Sequence, residues 1–379
     1  MASQPYIDVH VLQTVPPSNL NRDDAGSPKE AIYGGTRRAR VSSQAWKRAT
    51  RQTFAARIPA ADLATRTKRL SALVARRIED HSGLDREEAL RISTSLLKPL
   101  GISAGRKEGD TAYLLFLGRS QIDAISDLVK DRAADLASLD DQQLEEALKD
   151  EDIEEILKNG HPLAVALFGR MVADLPALNV DAACQVAHAI STHPVEVEFD
   201  YYTAVDDENL DDEPGAGMIG TVEFNSATLY RYATIGYDQL LHNLGDDHDA
   251  ALTAVDAFVD GFARSIPSGH QNSFAHRTLP SLVAVCVRED QPINLVSAFE
   301  EPVHSRQGIV ARSAERLAAE LTRVNKLWAP APSLVAATYT AEDGRGETLR
   351  AAFGDPIPFS ALREAVIGQL HESAAPSTA

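Results

Sequence analysis

The hydrophobic period of this chain changes twice along its length, and few folds can absorb such changes. Near the N-terminus Ile7, Val9 and Val11 alternate with Asp8, His10 and Leu12, the period of two expected of a strand with one buried face. From about 60 to 175 the spacing is helical, predicting helices over 61–79, 86–98, 119–137, 141–158 and 162–173, with breaks at Gly83, Pro99, Gly101, Gly160 and Pro162. Period two then returns at Val195, Val197, Phe199 and Tyr201, stops at the acidic tract DDENLDDEPGAG (206–217), and resumes from Thr221 in TVEFNSATLYRYATI. Two β-rich arms around a Gly-rich, acidic tip predict a long hairpin. A helix over about 247–265, a strand at 282–287, a helix at 311–328, a short strand at 333–340 and a last helix at 360–371 complete the chain.

Strand, helix, two strands, helix, strand is the βαββαβ order of a ferredoxin-like or RNA-recognition-motif-like (RRM-like) core. The predicted fold is therefore α+β, with an all-helical insertion, and 379 residues suffice for two or three units at ~150 residues each. Cys184 and Cys286 form no CxxC, so the sequence predicts neither a disulfide framework nor a thiolate zinc site and suits a reducing cytoplasm. MASQPYIDVHVLQTV lacks a basic leader and reads as a strand; no apolar run reaches the ~18 residues of a membrane span.

The net charge of -18 argues at first against a polyanion partner. Its distribution reverses that inference. Residues 22–77 hold 14 Lys or Arg and 4 acids, a local net of +10, which leaves -28 for the rest of the chain. Ser42 and Ser43 stand where an N-cap belongs, before a helix running to about Arg57. On that helix Lys47, Arg48 and Arg51 project to one side, while Ala45, Ala49 and Thr53 line the other. Arg38 and Arg40 alternate toward one face of the extended stretch before it, and Gly34 and Gly35 permit close backbone approach. Cations converging on a helix N-terminus can follow a sugar–phosphate backbone; they can equally be a solvated basic face balancing the acidic remainder.

NRDD at 21–24, AIYGGTRRARVSSQAWKRATR at 31–51, ALFGRM at 166–171, DYYTAVDDENL at 200–210 and FNSATLYRYATI at 224–235 resemble the backbone subunit of the type I-E CRISPR Cascade complex, the CasC family. The resemblance spans nearly the whole chain. It implies a modified RRM-like palm in two parts (1–59 and 181–379), helical fingers at 60–180, and a β-hairpin thumb at about 200–220. It also implies a non-catalytic scaffold needing no cofactor. Copies of the chain would stack head to tail along CRISPR guide RNA and present it to target DNA. Its companions would be the large, small, guide 5′-end cap and guide-processing subunits of a cytoplasmic antiviral ribonucleoprotein.

Residue by residue, the resemblance makes Arg22, Lys29, Arg38, Arg40, Ser42, Ser43, Gln44, Lys47, Arg48 and Arg51 guide-backbone contacts. A subunit that presents any guide must hold phosphates and sugars and leave bases unread, which these residue types do. Met171 and Tyr202 match an apolar palm-side residue and a thumb aromatic that pack around bases flanking a kink; core packing is the alternative for both, and strand register decides between Tyr201 and Tyr202.

Asp23 and Asp24 allow a second reading, an acid-dependent endoribonuclease cutting guide-paired RNA. Asp246, Asp247, His248 and Asp249 resemble a metal cluster but open a helix, where acids favour the dipole. The polar loop HQNSFAHRTLP (270–280) is a further candidate for RNA or subunit contact. Residues 123–157, with 13 acids and 3 bases, suit nucleic acid poorly; Arg66, Lys68, Arg69, Arg76 and Arg77 suit it better. The acidic thumb tip, Asp206, Asp207, Glu208, Asp211, Asp212 and Glu213, is expected in solvent or against a neighbour's basic surface.

Overall fold

The computed structural model describes residues 5–101, 110–204, 218–306, 308–328, 330–340 and 346–374. Its strands are β1 (Tyr6–Ser18), β2 (Glu30–Tyr33), β3 (Thr36–Val41), β4 (Ala64–Thr67), β5 (Leu115–Gly118), β6 (Cys184–Val186), β7 (Ala189–Ser191), β8 (Glu198–Ala204), β9 (Met218–Gly236), β10 (Leu282–Arg288) and β11 (Leu334–Tyr339). The main sheet runs β11-β10-β1-β9-β7-β3-β2, with β6 and β8 also paired to β9. The fold is α+β and the sheet antiparallel. In chain order β1 is followed by the helix Ser43–Thr53, then β8 and β9, the helix His248–Arg264 and β10.

Two compact units divide the chain: Met1–Thr53, Gln185–Gly236 and Val255–Ala379 form the first, Phe54–Cys184 and Tyr237–Ala254 the second. Within the first, β1 departs from the expected single buried face. Ile7, Val9 and Val11 are buried, and so are Asp8, His10 and Leu12. β1 is central, antiparallel to β9 and β10 on either side, and the sheet is covered on both faces. Trp46 and Phe262 pack over Arg231, which pairs with Val11; Leu12, Tyr230 and Tyr232 join the core of Phe299, Leu317 and Leu321.

Buried polar groups on β1 survive because each has partners. Asp8 accepts from the Tyr232 hydroxyl at 2.8 Å and the Ile293 amide at 2.9 Å, with the Arg288 guanidinium 3.5 Å away. His10 Nδ1 lies 3.0 Å from the Tyr230 hydroxyl. Burial pushes the Asp8 carboxyl up to about 6, against the lowering effect of those hydrogen bonds and Arg288. Burial, with Arg288 adding, pushes His10 down to about 3. These shifts oppose each other in stability. Asp8 contributes stability below about pH 4 that is lost as pH rises through 6, whereas His10 contributes stability above about pH 6.5 that is lost as pH falls toward 3. The His10 contribution is the one lost in acid. Urea midpoints of wild type and His10→Gln at about pH 7 and about pH 3.5 check this: the variant is expected to lose less on acidification.

The second unit is not all-helical. Where the spacing predicts a helix from 61, Ala64–Thr67 is a strand paired with Leu115–Gly118. Thr65 and Thr67 are β-branched, and Leu115, Phe116 and Leu117 are buried in succession, which suits a covered strand. The long predicted helices also divide: 119–137 stops at Asp127, and 141–158 restarts at Ile153, where the Asp152 side chain accepts from Glu155 N at 3.0 Å. Val74, Ile92, Leu96, Ile125, Leu144 and Ile153 form the core of this unit. Among the described residues no helix is long and apolar enough to cross a membrane.

Candidate nucleic-acid interface

The basic segment is organised by side chains that tie a loop to a helix start. Asn21 Oδ1 accepts from Ser42 N at 2.8 Å, and Lys29 N and Arg40 N donate to Asn21 O and Lys29 O, each at 2.9 Å. Asp23 Oδ1 accepts from Ala25 N at 2.9 Å and Ser27 N at 3.0 Å, closing the turn at Gly26, whose φ is 95°. Asn19 Nδ2 donates to Gly26 O at 2.9 Å from below. The loop thus holds Arg22 and Lys29 on a fixed backbone.

Two grooves on the first unit meet at Asp23. One, of about 710 Å³, lies between this loop, the helix face carrying Arg48 and Gln52, and the turn Pro267–His270. The other, of about 460 Å³, is lined by Lys29, Glu30, Arg40, Val197 and Glu223. Arg22 Nη1 reaches His270 Nε2 at 3.2 Å, and Arg40 donates from Nε to Glu30 O at 3.0 Å and from Nη1 to His188 Nδ1 at 3.1 Å. Arg22, Lys29, Arg40 and Arg48 therefore line one winding furrow, while Gln44 is exposed and Ser43, Lys47 and Arg51 are half-buried on the same helix.

Several expectations are corrected. Arg38 is fully buried, with Nη1 donating to Ser191 O and Nη2 to Phe299 O, both at 2.9 Å, so it cannot touch a phosphate. Its strand face is covered at 38 by the Phe299–Glu300 backbone and half-exposed at 40. Ser42 is buried, and its hydroxyl accepts from Ala45 N at 3.4 Å as the cap of the helix. The inner face of that helix is Trp46, Ala49 and Thr50, displaced from the expected Ala45, Ala49 and Thr53. Gly34 and Gly35, at φ 58° and 73°, make the tight β2–β3 turn; a Cβ on Gly34 would run into Glu300 O, so the close approach there is to protein.

Asp23 Oδ1 is engaged in its own turn, and Asp23 and Asp24 both line the first groove. Asp247 Oδ1 accepts from Ala250 N at 3.0 Å, an ordinary helix cap. In the second unit Arg66 stacks over Phe116 and Arg77 pairs with Asp123, while Lys68, Arg69 and Arg76 are exposed. Residues 206–213 lie outside the described residues.

Met171, also in the second unit, is 83% exposed. It is held out between two anchors: Arg170 is buried and donates to Leu178 O and Leu157 O, and Val172 N donates to Asn179 Oδ1. On the hairpin, Tyr201 pairs with Thr221 and Tyr202 with Gly220. Tyr202 lies flat against Gly220, whereas Tyr201 and Phe199 share the opposite face, at 63% and 67% exposure. Register therefore makes Tyr201 the freer ring. The base of β9 is pinned by Phe224 against Phe274, ring centroids 5.8 Å apart.

Sequence reasoning missed Asn21, Gln52 and His188 at these grooves, and Asn19 beneath the loop. Asn21 had a signal, since it opens the NRDD stretch; His188 had none, because its partner Arg40 is 148 residues away. The sequence matches the profile of the family described as CT1975-like protein over residues 7–363. Among solved structures, a chain of a "CRISPR RNA-guided surveillance complex, pre-nicking" is 32% identical with a TM-score of 0.81, the match covering 96% of this chain and 100% of that one. A chain of a "CRISPR RNA-guided surveillance complex" is 31% identical with a TM-score of 0.74, covering 96% and 99%. No curated protein matches significantly.

Proposed function

The chain belongs to the CT1975-like protein family, and from that membership we propose that it is the guide-RNA-binding backbone subunit of a type I-E Cascade complex, a non-catalytic scaffold. The furrow carrying Arg22, Lys29, Arg40 and Arg48 is the observation that carries this reading. It offers guanidinium and ammonium groups on a rigid loop and helix, the equipment for holding phosphates without reading bases.

The order β10-β1-β9, with a helix before and after the hairpin strands, supports an RRM-like palm in the first unit. The second unit then serves as fingers and the β8–β9 hairpin as thumb. Exposed Tyr201, Phe199 and Met171 are surfaces against which displaced bases can stack, at ~1–3 kcal/mol per base. Copies stack head to tail, a heterologous contact in which one face meets a different face of the next. The guide bases left open pair with a target DNA strand, and the remaining Cascade subunits complete the cytoplasmic antiviral complex.

Sequence-independent, electrostatic binding is the testable core of this function. With about five phosphates held per subunit, log affinity for single-stranded RNA should fall with log salt at a slope of about -3.5. Each doubling of salt then weakens binding about tenfold. Anisotropy titrations with two RNAs of unrelated sequence should give the same slope; a flat salt response or a strong preference for one sequence would overturn the reading.

A further inference from the structure

Both outer arginines of the furrow are held by histidines. A guanidinium has donors only, so the ring nitrogen it faces must be unprotonated for the contact to exist. Arg40 Nη1 meets His188 Nδ1 at 3.1 Å, and Arg22 Nη1 meets His270 Nε2 at 3.2 Å. In the RNA-free chain each imidazole therefore offers that nitrogen as an acceptor steadying a cation. His188 is exposed beside β7, and His270 is kept at φ 49°, a left-handed conformation that strains a non-glycine residue. Gly269 beside it packs against the Asn19 and Leu20 carbonyls, fixing that turn against the loop.

We propose that His188 and His270 are further RNA-contacting residues, each exchanging an arginine for a phosphate and gaining a proton as guide RNA enters the furrow. On protonation the ring nitrogen loses its acceptor lone pair and becomes a donor, so the arginine is released and both groups turn to the polyanion. Each subunit then presents two additional positive charges only when phosphate is there to neutralise them. The inference rests on the guide-binding reading of the furrow and extends it to a mechanism of proton-coupled loading.

The charged surroundings set the sign. His188 faces Arg40 and Lys29; the slight desolvation of its ring, then these two cations, holds it below the usual histidine range in the free chain. The nearby Glu30 carboxylate is paired with Arg37 at 2.5 Å, and the Glu30 carbonyl is taken by Arg40. His270 faces Arg22, shares its groove with Asp23, Asp24 and Arg48, and meets the edge of Phe274. Entering phosphates favour the protonated rings, so protons are taken up on binding and affinity rises as pH falls.

The test is RNA affinity of the full chain at constant salt between about pH 8 and about pH 6, using RNA without terminal phosphates, whose second ionisation falls near 6. Wild type is expected to bind at least about tenfold more tightly at the acid end, since one coupled proton gives up to a factor of ten per pH unit. His188→Gln with His270→Gln keeps polar acceptors beside the arginines but cannot titrate; its pH curve should be flat, so its deficit against wild type grows as pH falls. A wild-type curve without pH dependence, or a double variant that keeps the wild-type curve, overturns the inference. Arg40→Glu with Arg48→Glu separates the two levels: binding unaffected by those reversals sinks the guide-binding reading itself. Lost binding there, alongside an unchanged pH curve in the histidine variants, sinks only this one.

Discussion

Arg40→Glu combined with Arg48→Glu is expected to weaken RNA binding at least about 100-fold at moderate salt and to make the salt slope shallower by about 1.4, the share of two phosphates on a single strand. Reversal does more than remove two contacts, because each new carboxylate repels the phosphate it replaces a partner for. Arg48 is exposed on the groove face of its helix, and Arg40 loses only its hydrogen bonds to Glu30 O and His188, so the fold should lose no more than about 1–2 kcal/mol. Salt-resolved anisotropy titrations beside urea denaturation check both halves. Arg38→Glu is the contrasting arm. It places an uncompensated carboxylate among the Ser191, Phe299 and Glu300 carbonyls and should fail by unfolding. A folded, binding-competent R40E/R48E chain would refute phosphate binding by the furrow's cations, which share it with Asp23, Asp24, Glu30 and Glu223.

Trp46→Ala is expected to cost about 3–5 kcal/mol, a large part of the ~5–15 kcal/mol that holds a domain. Trp46 is wholly buried on the inner face of the helix whose outer face carries Arg48. Its ring centre lies 3.8 Å from the Arg231 guanidinium carbon, and that of Phe262 lies 4.5 Å from the same carbon. Arg231 is fully buried, donates to Gln13 Oε1 at 2.5 Å and to Phe262 O, and is pushed down by burial to about 9. Truncating the indole removes packing and strips a desolvated cation of one aromatic face, worth about 2 kcal/mol. Because the helix is positioned by this contact, RNA binding should fall with stability. Trp46→Phe keeps a ring over Arg231 and should lose markedly less, as read from urea midpoints.

The basic segment and most elements were legible because they are written in local order. Alternation at Ile7, Val9 and Val11 and the Ser42 cap each depend on residues within one or two turns. The segment at 64–67 misled because a short stretch with Thr65 and Thr67 is decided by its distant partner, Leu115–Gly118, more than by its own spacing. Period two also misdescribed β1 as half-exposed. Asp8 and His10 look like solvent-facing residues, yet the hydroxyls of Tyr232 and Tyr230, more than 200 residues away, make their burial tolerable.

Periodicity and charge are local properties, so the α+β class, the concentration of positive charge between residues 22 and 77, and the helix that presents it are legible along the chain. Which of those cations remain at the surface is set by long-range packing. Arg38 and Arg40 share a strand face, and their fates differ because the backbone at Phe299 and Glu300 covers one and leaves the other beside His188. Burial is a property of what the chain brings from far away, and no spacing within residues 36–41 records it.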